Sequence, residues 1–379
     1  MQKAEVSSGN SNDSIKDLKP VKIILPIILG LAVVFLLFYR NFNYEDLQAI
    51  KWAPSTIFYV LLAIAFVGGR HLFYMWRLRT LTEQKLSWWK TFEVVSIWEF
   101  SSSATPTMVG GTAVGLFVLI KEKIKSGEAS TIIMSTIFLD SLFFLFSTAL
   151  AWLYFGDLLL SPVSDSASGV SGISVAWRYI FISAFTLMAG YTVLVGLGLF
   201  YKPTAIAAFL DKVTSIGFLK RWNKGARQLG SDFVAASVGL RKKSLWNFWM
   251  KGFLATWGAW SCRFIVVICL IVAVINLRES VFVHTLGEIN QYVLLYARQL
   301  VLYLILVVSP TPGGAGVAEG AFPAFYSDFI PARSIAVAIG MIWRWLTFYP
   351  YLILGAIVVP HWLKGKFGEK KVKSEVGEA

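Results

Sequence analysis

Two apolar stretches broken at their centres by proline and paired glycine, set among six unbroken ones, constrain this chain more than anything else in it. The unbroken runs are 21–39, 55–75, 128–155, 175–200, 246–275 and 334–359. Each approaches or exceeds the ~20 apolar residues that a helix needs to cross a bilayer. The broken stretches are 88–120, interrupted over Ala104-Thr105-Pro106-Thr107-Met108-Val109-Gly110-Gly111, and 288–327, interrupted over Ser309-Pro310-Thr311-Pro312-Gly313-Gly314-Ala315-Gly316. Proline and paired glycine stop a helix. Irregular backbone survives at membrane depth only where protein or a wet cavity covers it. The pattern therefore predicts an all-α integral membrane protein of about six transmembrane helices, plus two re-entrant helical hairpins whose tips lie inside the membrane.

Composition agrees. Hydrophobic residues make up 56% of the chain and charged residues 15%, against roughly 25% charged in a soluble domain. Cys262 and Cys269 both sit inside an apolar run and read as packing residues, not a disulfide framework. Residues 1–20 are polar, and no small-residue cleavage site follows the first run. That run is expected to remain as an uncleaved span.

Charge then orients the spans. Lys3, Lys16, Lys19 and Lys22 precede the first run, and Arg77, Arg79, Lys85 and Lys90 follow the second. Lys121, Lys123 and Lys125 follow the first broken stretch, and the tail 361–379 carries Lys364, Lys366, Lys370, Lys371 and Lys373. The segment 156–174 has Asp157 and Asp165 and no Lys or Arg. By the positive-inside rule both termini are cytoplasmic, in a bacterial-type plasma membrane. The net charge of +13 is thus sorted by membrane side. It does not predict nucleic-acid binding.

This orientation works only if the first hairpin enters from the cytoplasm and the second from outside. Half one, 21–160, then reads span, span, hairpin, span from inside; half two, 175–360, reads the same from outside. That is an inverted repeat within a transmembrane domain of 21–360, a plan that places a substrate site between the halves. Gly111-xxx-Gly115 after Pro106 is matched by Gly316-xxx-Gly320 after Pro312, although such spacing also arises by chance in glycine-rich apolar segments. Asp140 lies 34 positions after Pro106, and Arg344 lies 32 after Pro312. Within half two, 203–244 alternates basic residues with Phe209, Val213, Ile216, Phe218, Trp222, Leu229, Phe233 and Val234. It is predicted to form one or two amphipathic helices on the cytoplasmic leaflet, as a lipid-gathering surface or a plain interfacial linker.

Ionisable side chains at membrane depth are costly and mark function or pairing. Arg70 and Arg263 have a bland reading, snorkelling to the interface for the first and pairing within the bundle for the second. Glu99 and Glu319 beside the breaks, Asp140 and Arg344 near the middle of the spans that follow them, and Arg298 predict a binding site for a headgroup, with Arg forking onto phosphate. Their bland alternative is a structural ion-pair network. Gly110, Gly111, Gly313, Gly314 and Gly316 expose backbone N–H groups at the tips, where a helix N-terminus favours an anion. No H-E-x-x-H, G-x-S-x-G or P-loop is present, and His71, His284 and His361 are scattered. Neither an enzyme, a metal nor a cofactor is expected.

Ser309-Pro310-Thr311-Pro312-Gly313-Gly314-Ala315-Gly316-Val317-Ala318-Glu319-Gly320 closely resembles the signature of the lysylphosphatidylglycerol synthase transmembrane-domain family, a flippase-like family. The stretch from Ala104 to Gly111, followed by a Lys-rich turn and Ile137-Phe138-Leu139-Asp140, resembles its first motif, although Gly111 stands where the family usually has Glu. The resemblance covers roughly 20–360. It implies a membrane domain that moves lipids or lipid-linked molecules between leaflets, with Pro312, Gly313, Gly314, Gly316 and Glu319 as motif residues. Relatives exist in which such a domain is fused to a cytosolic aminoacyl transferase; this chain looks like the membrane part alone. The implied partners are phospholipid headgroups, a separate lipid-modifying synthase, and a second copy in a homo-oligomer. A secondary transporter of a small polar solute or ion, and an intramembrane transferase acting on a lipid, remain the alternative readings.

Overall fold

The computed structural model describes residues 53–105, 108–160, 171–215, 223–240, 243–275, 287–308, 316–330 and 332–376, with Tyr39, Lys220 and Gly314 singly. The predicted polar N-terminus and nearly all of the first run, 21–39, lie outside the described residues, as do Pro106, Pro312 and Gly313.

The first described helix, α1, is Pro54–Leu81. Pro54 starts it, where a missing N–H costs nothing, and it ends where Glu83 and Gln84 reverse the chain at φ 50° and 60°. Ser87 caps the next helix, α2 (Trp88–Ala104), by accepting a hydrogen bond from the Lys90 N–H at 3.3 Å. Beyond the first break runs α3 (Met108–Lys121), and then α4 (Ser126–Phe155), which runs into a 3-10 turn, Gly156–Leu159. After these come α5 (Ser171–Gly196), α6 (Pro203–Thr214), α7 (Asn223–Leu240) and α8 (Lys251–Val274). The last four are α9 (Glu288–Val308), α10 (Val317–Phe325), α11 (Arg333–Thr347) and α12 (Tyr349–Val376). No strand occurs among the described residues.

Among the described residues, six helical segments are long and apolar enough to cross a membrane: Pro54–Leu81, Ser126–Leu159, Arg178–Tyr201, Leu245–Val274, Ile289–Val307 and Arg333–Lys366. The number agrees with the sequence reading, but the membership changes. Ile289–Val307, assigned above to a hairpin arm, joins the set: α9 has 21 residues, about 31 Å at 1.5 Å each. Its returning partner α10 has nine. The run 334–359 is not continuous either. It divides at Phe348, and Pro350 stands in the first turn of α12, where proline is compatible with a helix start but not with a helix running through.

Glycine sets how closely the helices approach. At Gly258 on α8 a Cβ would come within 2.4 Å of the Phe73 ring on α1, and these two helices share the most extensive contact in the molecule. At Gly111 on α3 a Cβ would fall 2.0 Å from Ser102 Oγ and 2.9 Å from its Cα, so α2 and α3 touch almost backbone to backbone. At Gly355 on α12 it would meet Phe100 of α2 at 2.1 Å. Such small-residue contacts are how helices associate without a hydrophobic driving force between them.

The predicted amphipathic segment is two helices, α6 and α7, packed on each other, with α7 also packed on the start of α4. Asp232 accepts from Ser130 at 3.2 Å and from Gln228 at 3.2 Å. Burial there still pushes its carboxyl above the usual carboxylate range, against the pull of those bonds. No residue of α6 is buried.

Basic ends gather on one side. Lys85 pairs with Glu128 at 2.5 Å, Lys243 with Glu83 at 2.9 Å and Lys366 with Glu122 at 2.9 Å. Through these contacts the ends of α1, α3 and α12 meet the starts of α2, α4 and α8. Two apolar clusters fill the interior, one around Phe143, Phe264, Tyr326 and Trp343, the other around Leu81, Val94, Leu119 and Ile132.

Candidate functional site

A cavity of about 530 Å³ lies where the two clusters meet. Residues from both broken stretches border it: Ser102, Ser103, Thr105 and Thr112 from the first, Gly314 from the second. Gly314 has φ +71°, which other residues rarely adopt, and a Cβ there would come within 3.0 Å of Leu306 Cδ2.

Helix α1 supplies Arg70, Tyr74 and Arg77 to this cavity. Their spacing of four and three residues places them on one helical face. Arg70, 4% exposed, reaches Glu99 of α2 at 2.5 Å and lies 4.9 Å from the Tyr74 ring and 4.7 Å from Tyr351 of α12. Its Nε and Nη1 have no hydrogen-bond partner. Arg77 reaches Asp140 of α4 at 2.6 Å and covers Tyr74 from 4.7 Å. The same Asp140 oxygen accepts the Trp260 indole N–H at 2.8 Å. Both carboxylates are therefore engaged by a guanidinium.

Arg263, one turn after Trp260 on α8, is different. Its guanidinium lies 4.7 Å from the Tyr303 ring and 5.7 Å from Trp260, and its Nε is buried without a partner. No carboxylate among the described residues pairs with it. Arg344 of α11 also lines the cavity, 4% exposed, with its guanidinium 4.4 Å from the Phe348 ring.

Of the residues anticipated from sequence, Glu99, Asp140, Gly314 and Arg344 meet at this cavity. Gly111 stands behind it, seating α3 on Ser102. Gly110 and Glu319 are placed by backbone only, on α3 and α10, and Gly316 turns at φ +85° just before α10. Arg298 does not reach the cavity, which corrects its assignment above. It is fully buried and binds both oxygens of Asp328, at 2.6 and 2.7 Å, and the Leu158 carbonyl at 3.1 Å. A buried guanidinium needs acceptors on several sides, and here they come from the turn after α10 and the 3-10 turn after α4.

Arg70, Arg77, Tyr74, Trp260, Arg263, Tyr303 and Tyr351 were missed or read as bland. For Arg70 the signal was its helical spacing to Tyr74 and Arg77. For Tyr351 it was the neighbouring Pro350, which marks a helix start.

The arrangement concentrates fixed positive charge, aromatic faces and hydroxyls in a space the size of small-molecule sites, which run roughly 300–1,000 Å³. It has the chemistry to hold a polar, anion-bearing group at membrane depth.

A UPF0104 membrane protein of Archaeoglobus fulgidus is 25% identical to this chain over 359 residues, covering 90% of this chain and 97% of that protein. No solved structure matches the chain. The sequence model of the lysylphosphatidylglycerol synthase TM region matches residues 23–355, and the chain, a multi-pass membrane protein, belongs to that family.

Proposed function

We propose that this protein moves a phospholipid or lipid-linked molecule between the leaflets of the plasma membrane, as a transporter and not as an enzyme. The observation that carries this reading is the wall of the cavity formed by α5. Leu187 and Tyr191 line the cavity, and at 64% and 44% exposed they leave α5 as its least covered wall. A headgroup entering beside α5 reaches a polar space while its acyl chains stay in lipid. At about 530 Å³ the cavity has the size of a site for a polar headgroup.

In this reading α2–α3 form a re-entrant pair, the short α10 returns part-way after the spanning helix α9, and the two halves form an inverted repeat. The juxtaposition of Thr105, Thr112 and Gly314 at one cavity supports it. Both termini are cytoplasmic, in keeping with the basic ends of α1, α3 and α12.

The test is lipid movement in reconstituted vesicles, followed with headgroup-labelled phospholipids and a membrane-impermeant quencher. Wild-type protein is expected to expose inner-leaflet lipid, and Arg344→Ala or Asp140→Asn to slow this about tenfold or more at equal incorporation. Equal rates in empty vesicles, wild type and variants would refute the proposal.

A further inference from the structure

We infer that the headgroup taken by this cavity is an acidic phosphate without a compensating amine, and that an aminoacylated, cationic headgroup is disfavoured. The inference rests on the lipid-transport reading for its location and on the cavity's own chemistry for its charge class.

An ammonium in a dry site needs a carboxylate or an open aromatic face. Among the described lining residues the carboxylates are Glu99 and Asp140, and both are held by guanidinium groups, from Arg70 at 2.5 Å and Arg77 at 2.6 Å. Four of the lining rings, those nearest these groups, are taken in the same way, while Trp98, Phe144 and Tyr191 carry no guanidinium among the described residues. Tyr74 carries Arg70 and Arg77, Tyr351 carries Arg70, and Tyr303 and Trp260 carry Arg263. An amine binding at these carboxylates or these four rings would have to displace an arginine from its partner and would then face that arginine as a like charge.

A phosphate meets the opposite situation. Arg263 is held in place by ring contacts alone, and its planar fork matches two phosphate oxygens. The hydroxyls of Ser102 and Ser103 on α2 border the same space as donors. Trp260 positions both sides of this chemistry: its indole N–H fixes Asp140 at 2.8 Å, and its ring steadies Arg263. The carboxylate neutralises Arg77, and Arg263 is left to the ligand.

The experiment is native mass spectrometry of purified full-length protein in neutral detergent, titrated separately with dioleoyl phosphatidylglycerol, phosphatidylcholine and lysylphosphatidylglycerol. Phosphatidylglycerol is expected to bind about tenfold more tightly than either of the others, the size of one charge-assisted contact. Arg263→Gln is expected to abolish the preference, and Arg263→Lys to keep part of it, because the charge remains while the fork is lost. If Arg263→Gln does not fold, the wild-type ranking and the lysine variant decide.

Lysylphosphatidylglycerol binding as tightly as phosphatidylglycerol, or a preference unchanged in Arg263→Gln, would overturn the inference. Displacement of phosphatidylglycerol by an equal concentration of inorganic phosphate would keep the acidic-phosphate specificity but assign it to the free ion, and would count against lipid transport. Tight, selective phosphatidylglycerol binding with no lipid movement in vesicles would likewise sink the transport proposal alone.

Discussion

Asp140 receives the Arg77 guanidinium and the Trp260 indole on one oxygen, and this pairing decides what its removal does. Asp140→Ala leaves Arg77, 9% exposed, without its countercharge at membrane depth. Breaking one side of a buried pair costs about 3 kcal/mol or more. Thermal unfolding in detergent is expected to shift downward accordingly, and Arg77→Met with Asp140→Leu to recover much of the loss, since an apolar pair of similar volume leaves no orphan charge. A single variant as stable as the wild type would contradict the pairing. Legibility from sequence also divides at this scale. Asp140 and Arg344 were readable because each stands alone in an apolar run. The partners were not: Arg70 finds Glu99 29 residues on, and Arg298 finds Asp328 30 residues on. Nothing local distinguishes an arginine that lines a cavity from one that ties two turns together.

Among the helices, α2 and α3 approach each other closely where Gly111 packs against Ser102. A methyl group there would contact backbone as well as the hydroxyl, so the neighbour cannot simply rotate away. Gly111→Ala is expected to push the two helices apart and to cost about 1–3 kcal/mol, the usual range for overpacking. Thermal unfolding in detergent checks this, and Ser102→Gly in the same chain should restore only part, because the Cα at 2.9 Å remains. An unchanged melting temperature would mean that the pair is looser than described. The elements themselves were largely legible: spans 55–75, 128–155, 175–200 and 246–275 reappear as α1, α4, α5 and α8 because a long apolar run at the helical rise has few other fates in a bilayer. The division of 334–359 at Phe348 was not, although Pro350 announced it, because hydropathy continues through the break while hydrogen bonding does not.

Over the whole molecule, one carboxylate links the first half to the tail. Glu122, just past α3, accepts the Trp362 indole N–H at 2.7 Å and the Lys366 ammonium at 2.9 Å, both from α12. Glu122→Ala is expected to speed amide hydrogen exchange over 360–376 by about tenfold, the scale of one or two charge-assisted bonds, with little effect on α4. Unchanged exchange would show that apolar contacts alone hold the tail. The inverted plan suggested by charge and spacing did not reveal this link, since it joins residues 240 or more positions apart. Helix α12 runs unbroken from Tyr351, whose ring covers Arg70 in the cavity, to Lys366 on Glu122, with Pro360 between them. Proline removes one backbone bond and leaves a soft joint. This continuity makes the C-terminus a handle on the site: a fusion tag or antibody fragment attached there is expected to disturb the ring stacked against Arg70.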